Sequence, residues 1–256
     1  MRVPLPPALL TKPIAHRGYH NAAARIPENS LSAFEAAARA GYAIELDVQL
    51  TKDGQAVVFH DDTLDRLTAE RGAVRDCTAA TLGRIVLTNS DDPIPTLAQV
   101  LGLVAGRVPL LIEIKDTGDG LAATDGQLEA ATAGVLARYN GVVALMSFNP
   151  SSVAHMARLA PGLPRGLTTD AFARADWPGL SAHMAAELRG IVAYDATGSS
   201  FLSHNHADLG AARVAELKAQ GADILCWTIR SPAQEAQARA IAQNVTFEGY
   251  AAPFPA

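Results

Sequence analysis

Short apolar, β-branched runs alternate with alanine-rich helical segments along nearly the whole chain. The runs predict eight β units, the second of which is a hairpin that turns at Lys52-Asp53-Gly54. These units span residues 13–15, 43–60, 108–114, 142–146, 163–167, 191–194, 224–229 and 245–247. The predicted helices span residues 30–40, 125–139, 150–159, 175–187, 207–220 and 232–242, with a further helix that starts at residue 95.

Two of these helices carry recognisable end signals. Gly41 directly follows the helix over 30–40, where a glycine commonly ends a helix. Thr96 is followed three residues later by Gln99, which is the spacing of a capping box. Residues 61–94 are polar and irregular, and they predict an insertion after the second β unit.

Alternation of strands with helices is typical of a parallel sheet with helical crossovers. Eight such units in 256 residues predict a (β/α)8 TIM barrel. A doubly wound open sheet is the alternative, but the glycine-rich fingerprint expected after its first strand does not occur. The composition shows no break that would mark a linker, so one domain is expected over residues 1–256.

Composition and charge exclude several classes of protein. Hydrophobic residues make up 49% of the chain and charged residues 18%, which suits a buried core and not a disordered chain. A net charge of −5 without a lysine- or arginine-rich run argues against a nucleic-acid partner. No apolar stretch approaches the length of a membrane span, so no stable membrane association is expected.

Cysteine usage and the N-terminal segment bear on the compartment. Cys77 and Cys226 could form one disulfide, but no disulfide framework or CxxC metal motif is present, and two reduced thiols are favoured. Residues 1–10 contain three prolines and no continuous apolar run, which does not fit a secretory signal. We therefore expect a cytoplasmic protein.

Polar side chains accumulate where the predicted strands end. This is the position of the active site in a (β/α)8 barrel. The strand ends carry His16-Arg17-Gly18, Glu45 and Asp47, His60-Asp61, Glu113 and Lys115, Ser147-Phe148-Asn149, Trp227-Thr228 and Glu248.

Three carboxylates stand out among these residues. Glu45 and Asp47 are two positions apart on one strand and so share a face, and Glu113 comes from the neighbouring strand. Inside a barrel these carboxylates would repel one another and resist ionisation unless a cation neutralised them. An all-oxygen site without a thiolate suits Mg²⁺ or Ca²⁺ better than Zn²⁺. The alternative is a set of rim carboxylates paired with Arg17 and Lys115.

Two histidines and two cations add to this pattern. His16 and His60 each end an apolar run and can supply one general base and one general acid. Arg17 and Lys115 would stabilise charge on a phosphoryl group. This set favours phosphodiester cleavage over glycoside hydrolysis, which needs no cationic clamp, and over acyl transfer, for which no GxSxG motif is present.

At these residues the sequence resembles the glycerophosphodiester phosphodiesterase family. The matching segments follow one another in the family's order and spacing and cover essentially the whole chain. They are His16-Arg17-Gly18, Pro27-Glu28-Asn29-Ser30, Glu45-Leu46-Asp47, Lys52-Asp53-Gly54, Val58-Phe59-His60-Asp61, Glu113-Ile114-Lys115, Leu225-Cys226-Trp227-Thr228 and Thr246-Phe247-Glu248-Gly249.

The resemblance implies a barrel whose insertion follows the second strand, and a role for each matching residue. Metal ligation falls to Glu45, Asp47 and Glu113, and acid–base catalysis to His16 and His60. Phosphate contact falls to Arg17 and Lys115, with support from Glu28 and Asn29. Trp227 is expected to wall the alcohol side of the pocket.

The implied reaction is hydrolysis of a glycerophosphodiester, such as glycerophosphocholine or glycerophosphoethanolamine, to sn-glycerol 3-phosphate and an alcohol. Attack by a neighbouring glycerol hydroxyl, through a cyclic phosphate, and direct attack by water are both open. One alternative is lysophospholipase D-like cleavage of lysophospholipids at the same site. Another is a non-catalytic protein that binds a phosphate ligand. The sequence argues against it, because every chemically important residue of the pattern is present.

Five further positions are interpreted without a catalytic role. Glu248 stands where many relatives have aspartate and is not assigned as a ligand. His204 and His206 are interpreted as part of a polar loop, with a structural role favoured over metal binding. Asp61-Asp62 is interpreted as a solvated acidic pair.

Overall fold

Eight parallel strands close into a barrel in the computed structural model, which describes residues 2–115 and 121–255. Each barrel strand pairs in parallel with the next one along the chain, and β9 pairs with β1 to close the ring. The strands are β1 (Ile14–Ala15), β2 (Ala43–Leu50), β3 (Ala56–Val58), β4 (Leu110–Ile114), β5 (Val143–Ser147), β6 (Arg165–Thr169), β7 (Phe201–Asn205), β8 (Asp223–Ile229) and β9 (Asn244–Phe247). Only β3 is antiparallel within the described ranges, and it pairs with β2. The predicted TIM barrel is confirmed.

Helices surround this barrel and connect its strands. Among the described residues they are α1 (Pro7–Thr11), α2 (Leu31–Ala40), α3 (Ala79–Leu82), α4 (Leu97–Val104), α5 (Gln127–Leu136), α6 (Pro150–Leu159), α7 (Ala182–Arg189), α8 (Ala212–Ala219) and α9 (Pro232–Ala238). None of the helices in this part of the chain is long and apolar enough to cross a bilayer. The end signals of α2 and α4 are confirmed: Gly41 ends α2 at a φ of 81°, and Thr96 and Gln99 form the predicted capping box.

One predicted strand is wrong and a real one was missed. Residues 191–194 form consecutive turns, and Ile191 has a φ of 47°, which no strand accommodates. The apolar side chains of Ile191 and Tyr194 are buried in the core without joining the sheet. The strand is β7 (Phe201–Asn205), which pairs with β6 and β8. The polar residues Ser203 and His204 interrupt its apolar pattern, and a strand is recognisable in a sequence mainly as a continuous apolar run.

Several element boundaries also move. β6 begins two residues later than the predicted run over 163–167. The helix predicted over 175–187 begins only at Ala182, and that predicted over 207–220 begins at Ala212 after a single 3-10 turn at His206–Asp208. His204 and His206 therefore do not share a polar loop, since His204 lies within β7 and is buried.

Apolar side chains and α1 close the lower end of the barrel, where the strands begin. The sequence pattern did not predict α1. Leu9 of α1 is fully buried in this cluster. Asn244 of β9 fixes the segment, because its Nδ2 donates to the carbonyls of Leu9 (2.8 Å) and Lys12 (2.6 Å). The cluster consists of Leu5, Leu9, Ile14, Ala43, Leu111, Ala144, Met146, Phe201 and Leu225.

The segment over 61–94 is irregular, as predicted, but it is not simply polar. It packs on β3 through a separate apolar cluster that includes Val57, Phe59, Leu64, Val74, Leu82, Leu87 and Ile94. The hairpin that leads into this segment also fixes the position of His60 along the barrel axis, because the amide of the preceding residue, Phe59, donates to the Asp47 carbonyl at 3.1 Å. His60 is thereby brought level with the predicted metal ligands.

We expect Leu9→Ala to lower the free energy of unfolding by about 2 to 5 kcal/mol, because it opens a cavity in the barrel seal. Urea titration followed by circular dichroism measures the change. Leu159→Ala is the matched control, since Leu159 is 45% exposed on α6. An equal loss of stability in the two variants would contradict a sealing role for α1.

Candidate active site

The predicted site residues meet at one end of the barrel, at the carboxyl ends of the strands. His16 follows β1, with its amide bonded to the Phe247 carbonyl of β9 at 2.9 Å. Asp47 of β2 is paired in register with Glu113 of β4. His60 arrives from the hairpin, and Lys115 follows β4 with its amide bonded to the Val48 carbonyl at 3.1 Å. The strand pairing therefore brings residues from four sequence segments together.

Three buried carboxylates form the centre of the site. Glu45, Asp47 and Glu113 are 2%, 2% and 7% exposed, so water cannot screen their charges from one another. One carboxylate oxygen from each residue lies within 4.8 Å of the others. A divalent cation could be held by all three at once, since hard cations prefer oxygen ligands.

The ionisation of these carboxylates favours a cation at the centre of the site. Burial, together with the neighbouring carboxylates, raises the pKa of Glu45 well above its ordinary value, and burial likewise raises the pKa of Glu113. Burial also opposes ionisation of Asp47, but Lys115, His60 and Arg17 outweigh it and lower the pKa of Asp47. Without a further positive charge the three side chains resist being ionised together. Such a donor set fits a divalent cation.

Asn29 and Arg17 fix the carboxylates from one side. Asn29 Nδ2 donates to Asp47 Oδ2 at 2.8 Å, and the Arg17 amide donates to Glu45 Oε2 at 2.8 Å. The backbone turn that aims this amide is left-handed at Arg17 (φ 53°) and at Gly18 (φ 82°). A Cβ at Gly18 would lie 2.8 Å from Cβ of Ala33, so the turn requires glycine.

The two cationic side chains lie among these carboxylates. Arg17 Nη1 donates to Glu28 Oε1 at 2.6 Å, and Arg17 Nε lies 3.5 Å from Asp47 Oδ2. Lys115 Nζ lies 3.3 Å from Glu113 Oε1 and 3.8 Å from Asp47 Oδ1. Although burial opposes its charge, these two carboxylates raise the pKa of Lys115. Both cations are therefore charged at neutral pH and border the carboxylate centre.

His16 is held by a residue to which the sequence assigned no role. Its Nδ1 lies 2.6 Å from Glu248 Oε2, and its Nε2 lies 4.0 Å from Glu45 Oε2. Since an ionised carboxylate only accepts, Nδ1 carries the proton and Nε2 is free towards the site. Burial lowers the pKa of His16, which keeps the ring neutral near neutral pH. Glu248 thus orients His16, and His20 Nε2 lies 3.6 Å from the same carboxylate.

His60 has the same arrangement with a different carboxylate. Its Nδ1 donates to Asp61 Oδ1 at 2.7 Å, while its Nε2 accepts from Lys115 Nζ at 3.1 Å. Burial lowers the pKa of His60, and hydrogen bonds from Arg66 and His60 lower the pKa of Asp61 to about 2. The interpretation of Asp61 as solvated is therefore wrong, because Asp61 is engaged by two side chains. Its neighbour Asp62 is exposed.

A cavity of about 520 Å³ opens beside His60, and its lining is charged in one part and aromatic in the other. The charged part includes Glu113 and Lys115, with the neutral ring of His60 beside them. The aromatic part consists of Phe148, Trp177 and Trp227, with the Phe148 ring centroid 5.1 Å from that of Trp177 and 5.5 Å from that of Trp227. Trp227 is fixed by its indole Nε1, which donates to the Ser203 carbonyl at 2.9 Å.

Sequence reasoning missed Trp177, Glu248, Asp61 and Arg66 as parts of this site. Glu248 and Asp61 had a usable signal, since each lies at a strand end beside other polar residues. Trp177 belongs to the connection between β6 and α7, and no local pattern marks it. His204 lies elsewhere: its Nδ1 is bonded to Thr169 Oγ1 (2.7 Å) and its Nε2 to the Asp208 carbonyl (3.1 Å), so both ring nitrogens are already occupied.

Comparison with known proteins gives a consistent result. The model of the glycerophosphoryl diester phosphodiesterase family matches residues 16–246. YhdW of Bacillus subtilis is 32% identical over 237 residues, which cover 89% of this chain and 90% of YhdW. The glycerophosphodiester phosphodiesterase of Caldanaerobacter subterraneus is 37% identical over 164 residues, covering 60% of this chain and 65% of that protein.

Solved structures share this fold. A phosphodiesterase from Oleispira antarctica, solved in complex with the product sn-glycerol-3-phosphate, superposes with a TM-score of 0.74 at 24% sequence identity. The superposition covers 92% of this chain and 91% of the other. At this level of identity the likeness establishes a shared fold.

The pairing of Asp61 predicts how stability depends on pH. The pKa of Asp61 lies below the ordinary value of 3.8, so its contribution to stability is present above pH 4 and is lost as the pH falls towards about 2. We expect Asp61→Asn to lower the free energy of unfolding at pH 6 and to lower it less at pH 3. Urea titration at the two pH values measures the difference.

Asp62→Asn is the matched control for this experiment. The neighbouring carboxylate is exposed and removal of its charge should leave stability nearly unchanged at both pH values. A pH-independent effect of Asp61→Asn would mean that the carboxylate is not ion-paired in the folded protein.

Proposed function

Because the chain belongs to the glycerophosphoryl diester phosphodiesterase family and is an enzyme of that class, we propose that it hydrolyses small glycerophosphodiesters, with divalent-metal dependence and two-histidine catalysis. The products are sn-glycerol 3-phosphate and an alcohol, and glycerophosphocholine and glycerophosphoethanolamine are the proposed substrates. The observation that carries the proposal is the pairing of two carboxylate-backed histidines with three buried carboxylates. We further propose that residues 1–256 act as one domain, which the pairing of β1 with β9 supports.

Glu45, Asp47 and Glu113 would hold the divalent cation, Mg²⁺ or Ca²⁺. Bound there, it would act as a Lewis acid towards a phosphoryl oxygen and balance the charge of the three carboxylates. The raised pKa values of Glu45 and Glu113 support this assignment, since such groups gain most from a cation. Arg17 and Lys115 would bind the remaining phosphate oxygens, with Glu28 and Asn29 holding Arg17 and Asp47 in place.

Proton transfer is assigned to His16 and His60. One imidazole takes the proton from the attacking oxygen, a glycerol hydroxyl or water, and the other gives a proton to the leaving oxygen. Both rings are neutral near neutral pH, and Nε2 of His16 is free towards the site, so His16 would act as the base. Nε2 of His60 accepts a hydrogen bond from the Lys115 ammonium, which would supply the proton that His60 passes to the leaving oxygen. Glu248 and Asp61 would stabilise whichever imidazolium forms, because each accepts a hydrogen bond from Nδ1.

The aromatic part of the cavity is proposed to bind the alcohol. Phe148, Trp177 and Trp227 provide apolar surfaces beside His60, and aromatic faces attract quaternary ammonium groups through cation–π interactions. The exposed carboxylate of Asp62 also lines this cavity and would favour a cationic head group. These features support glycerophosphocholine as a substrate.

A second candidate is lysophospholipase D-like cleavage of lysophospholipids. An apolar pocket between β5, β6 and α7 shares Leu121 and Phe148 with the catalytic cavity. It is lined further by Phe172, Leu188 and Val192, and could take part of an acyl chain. The two candidates are separated by comparing rates on glycerophosphocholine and lysophosphatidylcholine.

The first test is the release of glycerol 3-phosphate from glycerophosphocholine, measured with a coupled enzymatic assay. We expect activity to disappear in EDTA and to return with Mg²⁺ or Ca²⁺. Glu45→Gln should weaken metal binding in calorimetry because one charged ligand is lost. Glu216→Gln is the control, since it removes the same charge from the surface of α8.

Activity that survives thorough chelation would overturn the metal assignment. Absence of glycerol 3-phosphate release from every glycerophosphodiester, with metal present, would overturn the proposed function. Accumulation of a cyclic phosphate during the assay would identify the glycerol hydroxyl as the attacking group.

The second test concerns the histidines. His16→Ala and His60→Ala should each lower kcat by about 100-fold or more, because general acid–base catalysis contributes factors of this size. His183→Ala is the matched control, since the His183 side chain is 84% exposed on α7. Circular dichroism verifies that each variant is folded. Wild-type rates in folded His16→Ala and His60→Ala would refute the assignment.

A further inference from the structure

We propose that Arg66 is a positioning residue. It binds the two carboxylates, Asp61 and Glu28, that orient His60 and Arg17. This inference rests on the proposed function, since it concerns how these two residues are aligned for the reaction. Arg66 ends a single 3-10 turn, Leu64–Arg66, at the start of the segment inserted after β3. The insertion thereby contributes a side chain to the support of the active site.

On one side the Arg66 guanidinium donates two hydrogen bonds to Asp61. Arg66 Nε donates to Asp61 Oδ2 at 2.6 Å, and Nη2 donates to Oδ1 at 2.8 Å. The same Oδ1 accepts from His60 Nδ1 at 2.7 Å. The carboxylate that sets the orientation and tautomer of His60 is therefore itself fixed in its plane by Arg66.

On the other side the Arg66 guanidinium donates two hydrogen bonds to Glu28. Arg66 Nη1 donates to Glu28 Oε2 at 2.9 Å, and Nη2 donates to Oε1 at 2.8 Å. The same Oε1 accepts from Arg17 Nη1 at 2.6 Å. One side chain thus connects the support of the proposed base or acid, His60, with the support of the proposed phosphate ligand, Arg17.

The geometry distinguishes this contact from an ordinary surface ion pair. A lone exposed pair contributes little to a protein, whereas bidentate contacts in a network can hold a precise arrangement. Arg71 in the same segment provides the contrast, because its side chain is 80% exposed and makes a single 3.1 Å contact with Asp65. The Arg66 side chain is 47% exposed and engages both oxygens of two carboxylates.

Lysine cannot reproduce this arrangement. An ammonium group is a compact charge without the planar fork that reaches two carboxylates at once. Loss of the Asp61 contacts would let His60 rotate and should lower kcat. Loss of the Glu28 contacts would loosen Arg17 and should raise KM.

The experiment compares Arg66→Gln and Arg66→Lys with the control Arg71→Gln in the metal-loaded enzyme, using glycerophosphocholine. We expect Arg66→Gln to lower kcat about 10-fold and to raise KM several-fold, which is the scale of losing a residue that orients an active-site group. Arg66→Lys should recover only part of both losses. Arg71→Gln should keep wild-type kcat and KM.

A double-mutant cycle separates the two branches. In an Asp61→Asn background, Arg66→Gln should cause no further fall in kcat, because the carboxylate it would orient is gone. In a Glu28→Gln background, it should cause no further rise in KM. A merely structural role would add a similar loss in every background.

Wild-type kinetics in folded Arg66→Gln would overturn the inference, as would full recovery by Arg66→Lys. If Arg66→Gln does not fold, Arg66→Lys decides by the same kcat and KM criteria. An inactive wild-type enzyme would instead count against the proposed function itself, so the two failures are distinguishable.

Discussion

Three buried carboxylates repel one another at the centre of the site, and the surrounding side chains are arranged to compensate for that repulsion. Glu45, Asp47 and Glu113 are held within 4.8 Å of one another by the pairing of β2 with β4. Removal of charges from water is costly unless opposite charges or hydrogen bonds compensate. Arg17, Lys115 and Asn29 provide part of that compensation, and the remainder is what a divalent cation would supply.

Carboxylates also hold the two histidines that surround this centre. His16 and His60 are each bonded through Nδ1 to a carboxylate, Glu248 or Asp61. Nε2 of His16 is therefore free towards the site, whereas Nε2 of His60 accepts a hydrogen bond from Lys115 Nζ. Burial keeps both rings neutral, so each can accept a proton. The net charge of −5 is therefore a poor guide to the substrate, because the acidic side chains at the site are balanced locally and an anionic diester can still be attracted.

The two ends of the barrel have different tasks. At the lower end, apolar side chains and α1 close the interior and stabilise the barrel. At the upper end, strand ends carry charged residues from β1, β2 and β4 and aromatic residues from β5 and β8. A phosphodiester with an alcohol group fits such a divided cavity, since its charged centre and its alcohol need different surroundings.

Local patterns in the sequence were enough to predict the barrel and the residues proposed for the chemistry. Alternating apolar strands and helices predicted eight parallel strands, and strand-end positions picked out His16, Glu45, Asp47, His60 and Glu113 before their proximity was known. These signals are local: each depends on a run of neighbouring residues. The one wrong strand, at residues 191–194, shows the limit of that information, because an apolar run can be buried without joining the sheet.

The contacts that hold the proposed catalytic residues in place form only when the chain folds. Glu248 meets His16 across 232 positions of the chain, and Arg66 meets Glu28 across 38. No local pattern encodes such a contact, since it arises from the closure of the barrel and the path of the inserted segment. The sequence therefore determined which reactive groups are present, and the fold determined their orientation, protonation and partners.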